Sequence, residues 1–236
     1  MNSSLARRVA AEAIGTALLL AAVVGSGIMG ERLSGGNQAI ALLANALATG
    51  AALVALILTF GQISGAHLNP AVSLADASQG GLAWRDVPLY VLAQTCGAFA
   101  GVAAAHFMFG LSLFTASHHV RAGAAQTFSE FIATFGLLSV IWSCVRFRSQ
   151  AVPFAVAAYI TAAYWFTSST SFANPAVTLA RSMSDTFVGI RLADAPAFIV
   201  AQLGGAAVAT ILFRWLIPSL PNDAEAVIMQ HGNNNE

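Results

Sequence analysis

The sequence predicts an all-α integral membrane protein with six transmembrane helices and two re-entrant half-helices in two inverted repeats. Three observations carry this prediction: an apolar composition, six long apolar segments and a heptapeptide that occurs twice. The chain of 236 residues is 57% hydrophobic and only 8% charged, whereas soluble domains average about 25% charged residues. Little sequence remains outside the apolar segments, so residues 1–236 are interpreted as a single membrane domain.

Six segments are long enough to cross a bilayer, which takes roughly 20 apolar residues. They cover about 9–30, 39–61, 87–109, 125–145, 152–171 and 195–217. The alternating pattern of a membrane β-barrel, with about ten residues per strand, does not occur. Arg7 and Arg8 before the first segment resemble a secretory or twin-arginine signal. The length of that segment, Glu12 within it and the five later spans favour a retained first helix.

A duplicated heptapeptide divides the chain into two halves. Residues Asn69–Ala75 read Asn-Pro-Ala-Val-Ser-Leu-Ala, and Asn174–Ala180, 105 residues later, differ only by Thr for Ser. Each half also opens with a helix that carries one acid, Glu12 or Glu130, and closes on a related Ala-Gln string. The repeating unit is therefore two spans, a broken segment and a third span.

The two repeats are predicted to cover about 8–110 and 122–217, followed by a polar tail at 218–236. Three spans per repeat is an odd number, so the second repeat must be upside down relative to the first. The two broken segments then enter from opposite faces and meet near the middle of the membrane.

Small residues suggest close helix crossings. They occur as Gly61-x-x-x-Gly65, Gly97-x-x-x-Gly101 and the pair Gly204-Gly205. Such spacing lets two helix backbones approach each other. The alternative is the ordinary enrichment of glycine in membrane helices, and the sequence does not decide between the two.

Each Asn-Pro pair is predicted to start a short helix inside the membrane. Asn is a favoured N-cap and Pro a favoured first helical residue, so helices are expected from Pro70 and Pro175. With both oxygens used as caps, the amide hydrogens of Asn69 and Asn174 are expected to face a passing solute. The two positive helix ends add about one unit charge at the midplane, which disfavours a cation at about 4 Å by about 4 kcal/mol at an effective dielectric near 20.

The residues before each motif are expected to be extended. These are Ser64–Leu68 and Ser169–Ala173. Non-helical backbone at membrane depth is tolerated where it lines a wet cavity, so their carbonyl groups are predicted to supply hydrogen-bond acceptors along a pore.

Residues 8–217 resemble the aquaporin (major intrinsic protein) family. The resemblance rests on the two Asn-Pro-Ala motifs, on the run Ile-Ser-Gly-Ala-His-Leu-Asn-Pro-Ala-Val at 63–72, and on Glu12 and Glu130. It implies six tilted helices and two half-helices around a pore, assembled as a homotetramer with one pore per subunit. The implied pore motifs are Asn69, Pro70, Ala71, Asn174, Pro175 and Ala176.

The resemblance also implies roles for three polar side chains near the motifs. Glu12 and Glu130 are implied to accept hydrogen bonds from backbone N–H groups of the re-entrant loops, the alternative being a proton relay. His67 is implied to brace the first loop, the alternative being a pH gate.

The family's narrowest point, near the outer mouth, is built from four positions. Counting from the motifs places them on Thr49, Ala162, Ser171 and Val177, with a neighbour of Ala162 as the alternative at that position. Most family members have Arg where this chain has Val177. Four small side chains predict a wide, weakly polar constriction, similar to bacterial aquaglyceroporins linked to arsenic resistance. Arg181, one helical turn after Val177, is expected at the outer surface, the alternative being a partial substitute for the missing Arg.

The predicted function is a passive channel for small uncharged solutes, namely molecules of glycerol or urea size and undissociated metalloid acids such as arsenite or methylated arsenicals, with some water. A water-selective channel is the nearest alternative. An ion-coupled secondary transporter also has inverted repeats with broken helices, and a closed structural protein is a third possibility. The chain has no nucleophile–base pair, metal-ligand spacing, nucleotide loop or basic stripe, so no enzyme activity, cofactor, metal or nucleic-acid partner is predicted.

Arginine distribution predicts the orientation in a cell inner (plasma) membrane, since cytoplasmic loops carry an excess of positive residues. With the N-terminus inside, six of the ten basic residues are cytoplasmic and four are outside. The cytoplasmic set is Arg7, Arg8, Arg85, Arg146, Arg148 and Arg214, and the outer set is Arg32, Arg121, Arg181 and Arg191. Both termini are therefore predicted to be cytoplasmic.

Overall fold

The computed structural model describes residues 3–217, so the predicted tail at 218–236 lies outside the described residues. All regular structure over the described range is helical. The helices are α1 (Leu5–Leu33), α2 (Gln38–Ser64), α3 (Pro70–Ser78), α4 (Val87–Met108), α5 (Ala124–Phe147), α6 (Val152–Phe166), α7 (Pro175–Arg181) and α8 (Ala195–Leu216). Six of them are the predicted spans and the two short ones, α3 and α7, are the predicted half-helices.

Five helices, α1, α2, α4, α5 and α8, are long and apolar enough to cross a membrane by length and composition. Helix α6 has 15 residues and is shorter than its predicted segment, 152–171. It ends at Phe166 because the backbone of Thr167 turns to an extended conformation while its hydroxyl bonds back to the Ala163 carbonyl. Residues 167–173 form the second re-entrant loop instead.

The helix contacts repeat between the two halves. Helix α1 packs on α4 and α2, and in the same way α5 packs on α8 and α6. Each half-helix contacts the last spans of both halves, so that α3 and α7 both pack on α4 and α8. The halves meet through α2 and α6 and through the tips of α3 and α7. This is the pattern expected of two inverted repeats whose half-helices meet at their interface.

Chain order assigns the connections to two faces of the bundle. We call the face where α1 begins and α8 ends the terminal face. We call the opposite face, which carries the α4–α5 and α7–α8 connections, the loop face. These two connections pair through backbone hydrogen bonds: Thr115 N to Met183 O at 3.0 Å and Ser117 N to Ser182 O at 2.9 Å. The loop face is therefore closed over by paired chain around the end of α7.

Close helix crossings occur at three of the small residues singled out by the sequence. A Cβ on Gly97 or Gly101 of α4 would lie 2.2 Å from a backbone oxygen of α1, and one on Gly205 of α8 would lie 2.4 Å from Phe131 O of α5. Nothing lies within 4 Å of a Cβ on Gly61, so of the two alternatives this glycine fits the ordinary enrichment of glycine in membrane helices. These three glycines thus lie where the first and last spans of each repeat cross.

Substitution of Gly101 by Ala should destabilise the protein by about 1–3 kcal/mol, since the added methyl group collides with backbone that cannot rotate away. The matched control is Gly61→Ala, which meets open space and should be neutral or slightly stabilising. Thermal unfolding of both variants in detergent measures the difference. Equal melting temperatures would mean that α1 and α4 can separate without loss.

Candidate functional site

The two re-entrant loops have an unusual backbone. Ala66 and Leu68 in the first loop, and Thr170, Ser171 and Ala173 in the second, have φ between 47° and 63°. This left-handed region is unfavourable for residues with a Cβ and persists only where the surroundings enforce it. The prediction that these loops are extended is therefore wrong, because left-handed residues interrupt the extended backbone in both loops.

The first loop is held by Glu12 of α1. Its carboxylate accepts hydrogen bonds from the backbone N–H groups of His67 at 3.0 Å and Leu68 at 2.7 Å. It also accepts from the Ser64 hydroxyl at 2.6 Å and from the Gln94 amide at 2.8 Å. A fully buried carboxylate with four donors is well satisfied, and it fixes the strained loop to α1.

The second loop repeats this arrangement. Glu130 of α5 accepts from the N–H groups of Phe172 and Ala173, both at 2.8 Å, and from the Gln202 amide at 2.6 Å. The same glutamine in each repeat also donates a hydrogen bond to the hydroxyl group at the one position where the two heptapeptides differ, Ser in the first and Thr in the second. Those bonds are Gln94 to Ser73 at 2.8 Å and Gln202 to Thr178 at 2.9 Å.

The asparagines of the two motifs join the half-helices tip to tip. The Asn69 oxygen accepts from Ala71 N at 2.9 Å and the Asn174 oxygen from Ala176 N at 3.0 Å, so both cap their own helix. The Asn69 amide donates to Ala173 O and the Asn174 amide to Leu68 O, both at 2.8 Å. The expectation that both amide hydrogens of each asparagine face a solute is therefore wrong, because one of the two donates to the opposite loop and joins the loops. The second amide hydrogen of each asparagine remains able to donate to a molecule in the cavity.

One cavity of about 380 Å³ passes both motifs. It runs from the terminal face, where Gln62 and Gln150 line it, past Asn69 and Asn174, to Arg181 near the loop face. Both re-entrant loops form part of its wall. Within the described range, no donor bonds the carbonyl groups of their pore-lining residues Ala66, His67, Ser171 and Phe172. These acceptors are available to molecules inside the cavity.

Three of the four predicted constriction residues lie on the cavity wall: Thr49, Ser171 and Val177. The fourth, Ala162, is exposed on the outside of α6, so its placement at the pore is wrong. On α6 the pore face carries Tyr164 instead, whose hydroxyl lies 3.1 Å from Thr49 Oγ1. Counting back from the second motif fails here because it assumes a fixed spacing across the loop at 167–173, and the helix face that meets the cavity carries Ile160 and Tyr164.

Arg181 is not at the outer surface, which corrects the expectation from the sequence. Its side chain is 2% exposed and lines the cavity beside Val177. Its Nε donates to the Val188 carbonyl, and its guanidinium carbon lies 3.4 Å from the centre of the Phe172 ring, a cation–π contact. The terminal nitrogens make no hydrogen bond to any residue between 3 and 217. They are positioned to donate into the cavity.

Arg121, from the α4–α5 connection, also lies over the Phe172 ring, at 5.1 Å. Its Nε donates to Gly189 O at 2.7 Å and its Nη1 to Ser169 O at 3.1 Å. Burial lowers its pKa to about 10, which leaves it charged at neutral pH. Sequence reasoning assigned Arg121 only to a loop, and nothing in the pattern marked it as a buried support of the pore wall.

His67 lies on the cavity wall in the half nearer the terminal face. Its Nδ1 is 3.0 Å from Ser73 Oγ and its Nε2 is 3.4 Å from the carboxylate of Asp76. Asp76 also lines the cavity, although sequence reasoning gave it no role. A signal was present: an acid in an apolar half-helix is unusual.

The fold and the lined cavity define a membrane channel of two inverted repeats. A family model described as Major intrinsic protein matches residues 1–164 and 144–235, so the chain belongs to the major intrinsic protein family, whose members are channels and not enzymes. Aquaglyceroporin AqpS of Rhizobium meliloti (strain 1021) is 56% identical over 218 residues, which cover 92% of this chain and 93% of the relative. Aquaporin NIP1-4 of Oryza sativa subsp. japonica is 34% identical over 215 residues, or 88% and 76%.

A solved structure shares this fold. The aquaglyceroporin from Plasmodium falciparum aligns with a TM-score of 0.73 over 92% of this chain and 99% of that chain. The sequences are 20% identical in this alignment, so the likeness concerns the fold alone.

Substitution of Glu12 by Ala should destabilise the protein by about 3 kcal/mol or more. It leaves two buried backbone N–H groups and two side-chain donors without an acceptor, and each unsatisfied group is unfavourable by about 1–3 kcal/mol. The matched control is Glu31→Ala on the same helix, where the side chain is exposed. The midpoint of thermal unfolding in detergent measures both; a Glu12→Ala variant as stable as the control would show that the loop holds without its carboxylate.

Proposed function

We propose that this protein is a passive channel for small uncharged solutes that are larger than water. Its substrates on this proposal are molecules of glycerol or urea size and undissociated metalloid acids such as arsenite and methylated arsenicals, with water as a secondary permeant. The observation that carries the proposal is the composition of the cavity wall at the level of Thr49 and Val177.

That level carries both polar and apolar groups. The polar groups are the terminal nitrogens of Arg181 and the Ser171 hydroxyl, which is buried without a hydrogen-bond partner among the described residues. The apolar groups are Val177, Ile160 and the Phe172 ring. A solute that has both hydroxyl groups and an apolar part fits such a wall, because its donors and acceptors are met while its apolar part contacts apolar side chains.

Val177 favours these larger solutes over water alone. It leaves the space that the family's usual Arg fills, and Thr49 is likewise smaller than the aromatic residue of water-selective members. The name of the 56% identical relative, an aquaglyceroporin, agrees with a pore for such solutes. Glu12 and Glu130 are occupied by loop N–H groups and are not free to bind a coupling ion. A secondary transporter would have to bind its ion at Asp76, the acid on the cavity wall, and its flux would then depend on an ion gradient.

The proposed orientation places the terminal face in the cytoplasm of a bacterial inner membrane. Of the four arginines on the loop face, Arg121 and Arg181 are buried inside the protein. When these two are left out, the excess of arginines on the terminal face is larger than in the count from sequence. A larger excess on that face agrees with the positive-inside rule.

The proposal of a homotetramer rests on family membership alone, and crosslinking of the protein in membranes tests it.

The test of the function is stopped-flow light scattering on proteoliposomes with water and glycerol, together with uptake of arsenite and methylated arsenicals. Fast flux of the larger solutes, linear in their concentration and independent of ion gradients, is expected. Saturable and ion-dependent flux would instead identify a transporter. Fast water flux with exclusion of all larger solutes would identify a water-selective channel.

Substitution of Val177 by Arg should reduce glycerol flux at least about tenfold and water flux much less, since a long side chain narrows the pore to a size that only water passes. The matched variant Val177→Leu adds bulk without charge and should reduce glycerol flux by a smaller factor. Unchanged glycerol flux in a folded Val177→Arg protein would show that Val177 does not line the narrowest point.

A further inference from the structure

Two charged residues of opposite sign occupy equivalent positions in the two half-helices. Asp76 and Arg181 are separated by the same 105 residues that separate the two motifs, and each is the seventh residue counted from the Pro that opens its helix. Both line the one cavity. Because the repeats are inverted, Asp76 lies between the motifs and the terminal face, and Arg181 lies between the motifs and the loop face.

Within residues 3–217, Asp76 and Arg181 are the only Asp, Glu, Arg or Lys residues that line this cavity. The other paired acids of the repeat, Glu12 and Glu130, lie behind the loops and are covered by donors. An ion that enters the cavity therefore passes one ionisable side chain on the wall at each end, and the two are of opposite sign.

Asp76 is held in an environment that disfavours a carboxylate. It is 6% exposed, and its Oδ2 has no hydrogen-bond donor among the described residues. It lies near the C-terminus of α3, where the negative end of the helix dipole opposes a negative side chain. The nearest titratable group is His67, whose Nε2 is 3.4 Å away.

The surrounding chain nevertheless leaves room for this carboxylate. A Cβ on Gly81 would collide with all three carboxyl atoms of Asp76. An ionisable side chain that is buried at membrane depth against these preferences calls for a function. Arg181, by contrast, lies at the favourable C-terminal end of α7 and is fixed by Val188 and Phe172.

We propose that Asp76 and Arg181 form a two-sign ion barrier, in which Arg181 rejects cations at the loop-face end and Asp76 rejects anions at the terminal-face end. This inference rests on the proposed function in that it assumes an open pore for neutral solutes. A single positive barrier would stop cations but attract the anions of weak acids. With one charge of each sign in series, every ion passes a like charge at short range, whereas a neutral solute hydrogen-bonds to both.

The test is conductance of the full-length protein in planar bilayers under a KCl gradient at pH 8, where imidazoles are normally neutral. Asp76→Asn retains the shape and removes the charge. It should raise chloride conductance at least about tenfold and move the reversal potential toward the chloride equilibrium potential. Asp76→Glu retains the charge and should stay as tight as the parent protein. Arg181→Gln, which keeps an amide donor for the Val188 carbonyl, should leak potassium instead.

Matched controls remove the same charges outside the cavity. Asp185→Asn lies in the α7–α8 connection, and Arg85→Gln has a side chain that is 89% exposed. Neither should change the conductance. Thermal unfolding separates the barrier from a structural role: Asp76→Asn should melt at the same or a higher temperature, since it relieves an unsatisfied buried charge.

Two outcomes would overturn the proposal. The first is a folded Asp76→Asn protein that remains as tight to chloride as the parent. The second is an equal chloride leak through Asp76→Asn and Asp76→Glu, which would assign the barrier to shape. Glycerol flux through the parent protein is measured on the same preparation, so that a closed or water-selective pore is recognised as a failure of the proposed function and not of the barrier.

Discussion

Backbone hydrogen bonding inside the membrane is the constraint on which the rest of this structure depends. A chain that enters the bilayer and turns back leaves N–H groups that neither a helix nor water satisfies. Each re-entrant loop here donates two consecutive N–H groups to one buried carboxylate, Glu12 in the first repeat and Glu130 in the second. Because these acids belong to the first helix of each repeat, the pore wall is fixed to the helix bundle, and the axes of α3 and α7 follow from that attachment.

The two repeats use one solution twice, and the places where they diverge are informative. Ser73 and Thr178 differ in sequence but accept the same glutamine hydrogen bond, so this substitution preserves a structural role. Asp76 and Arg181 differ in sign, share a cavity and have no common structural partner. The pair Ser73 and Thr178 therefore serves the fold in both repeats. The pair Asp76 and Arg181 gives the two ends of the pore side chains of opposite charge.

The sequence predicted the elements that depend on local chemistry. Helix starts at the Asn-Pro pairs follow from capping rules, and the two inverted repeats follow from the duplicated motif. Short spacings from the second motif also place Ser171 and Val177 on the cavity wall. Ala162 was misplaced because its position was counted across the loop at 167–173 with an assumed spacing, and only the fold shows that the cavity face of α6 carries Ile160 and Tyr164. Arg181 was misplaced because an arginine at a helix end is usually solvated. Its burial depends on Phe172 and on the Val188 carbonyl, which only the folded loops bring together.

The position of Arg181 separates two tasks that one residue performs elsewhere in the family. An Arg at the place of Val177 narrows the pore and repels cations at once, so widening the pore by removing it would also weaken the charge barrier. Here Val177 occupies that place, where we propose that it sets the width, and a guanidinium one turn further along α7 supplies the positive charge from the wall of the same cavity. Since its Nε is bound to Val188 and its face to Phe172, the side chain is held against the wall and does not cross the opening. On the proposed function, this is how the channel admits solutes larger than water while it still opposes cations.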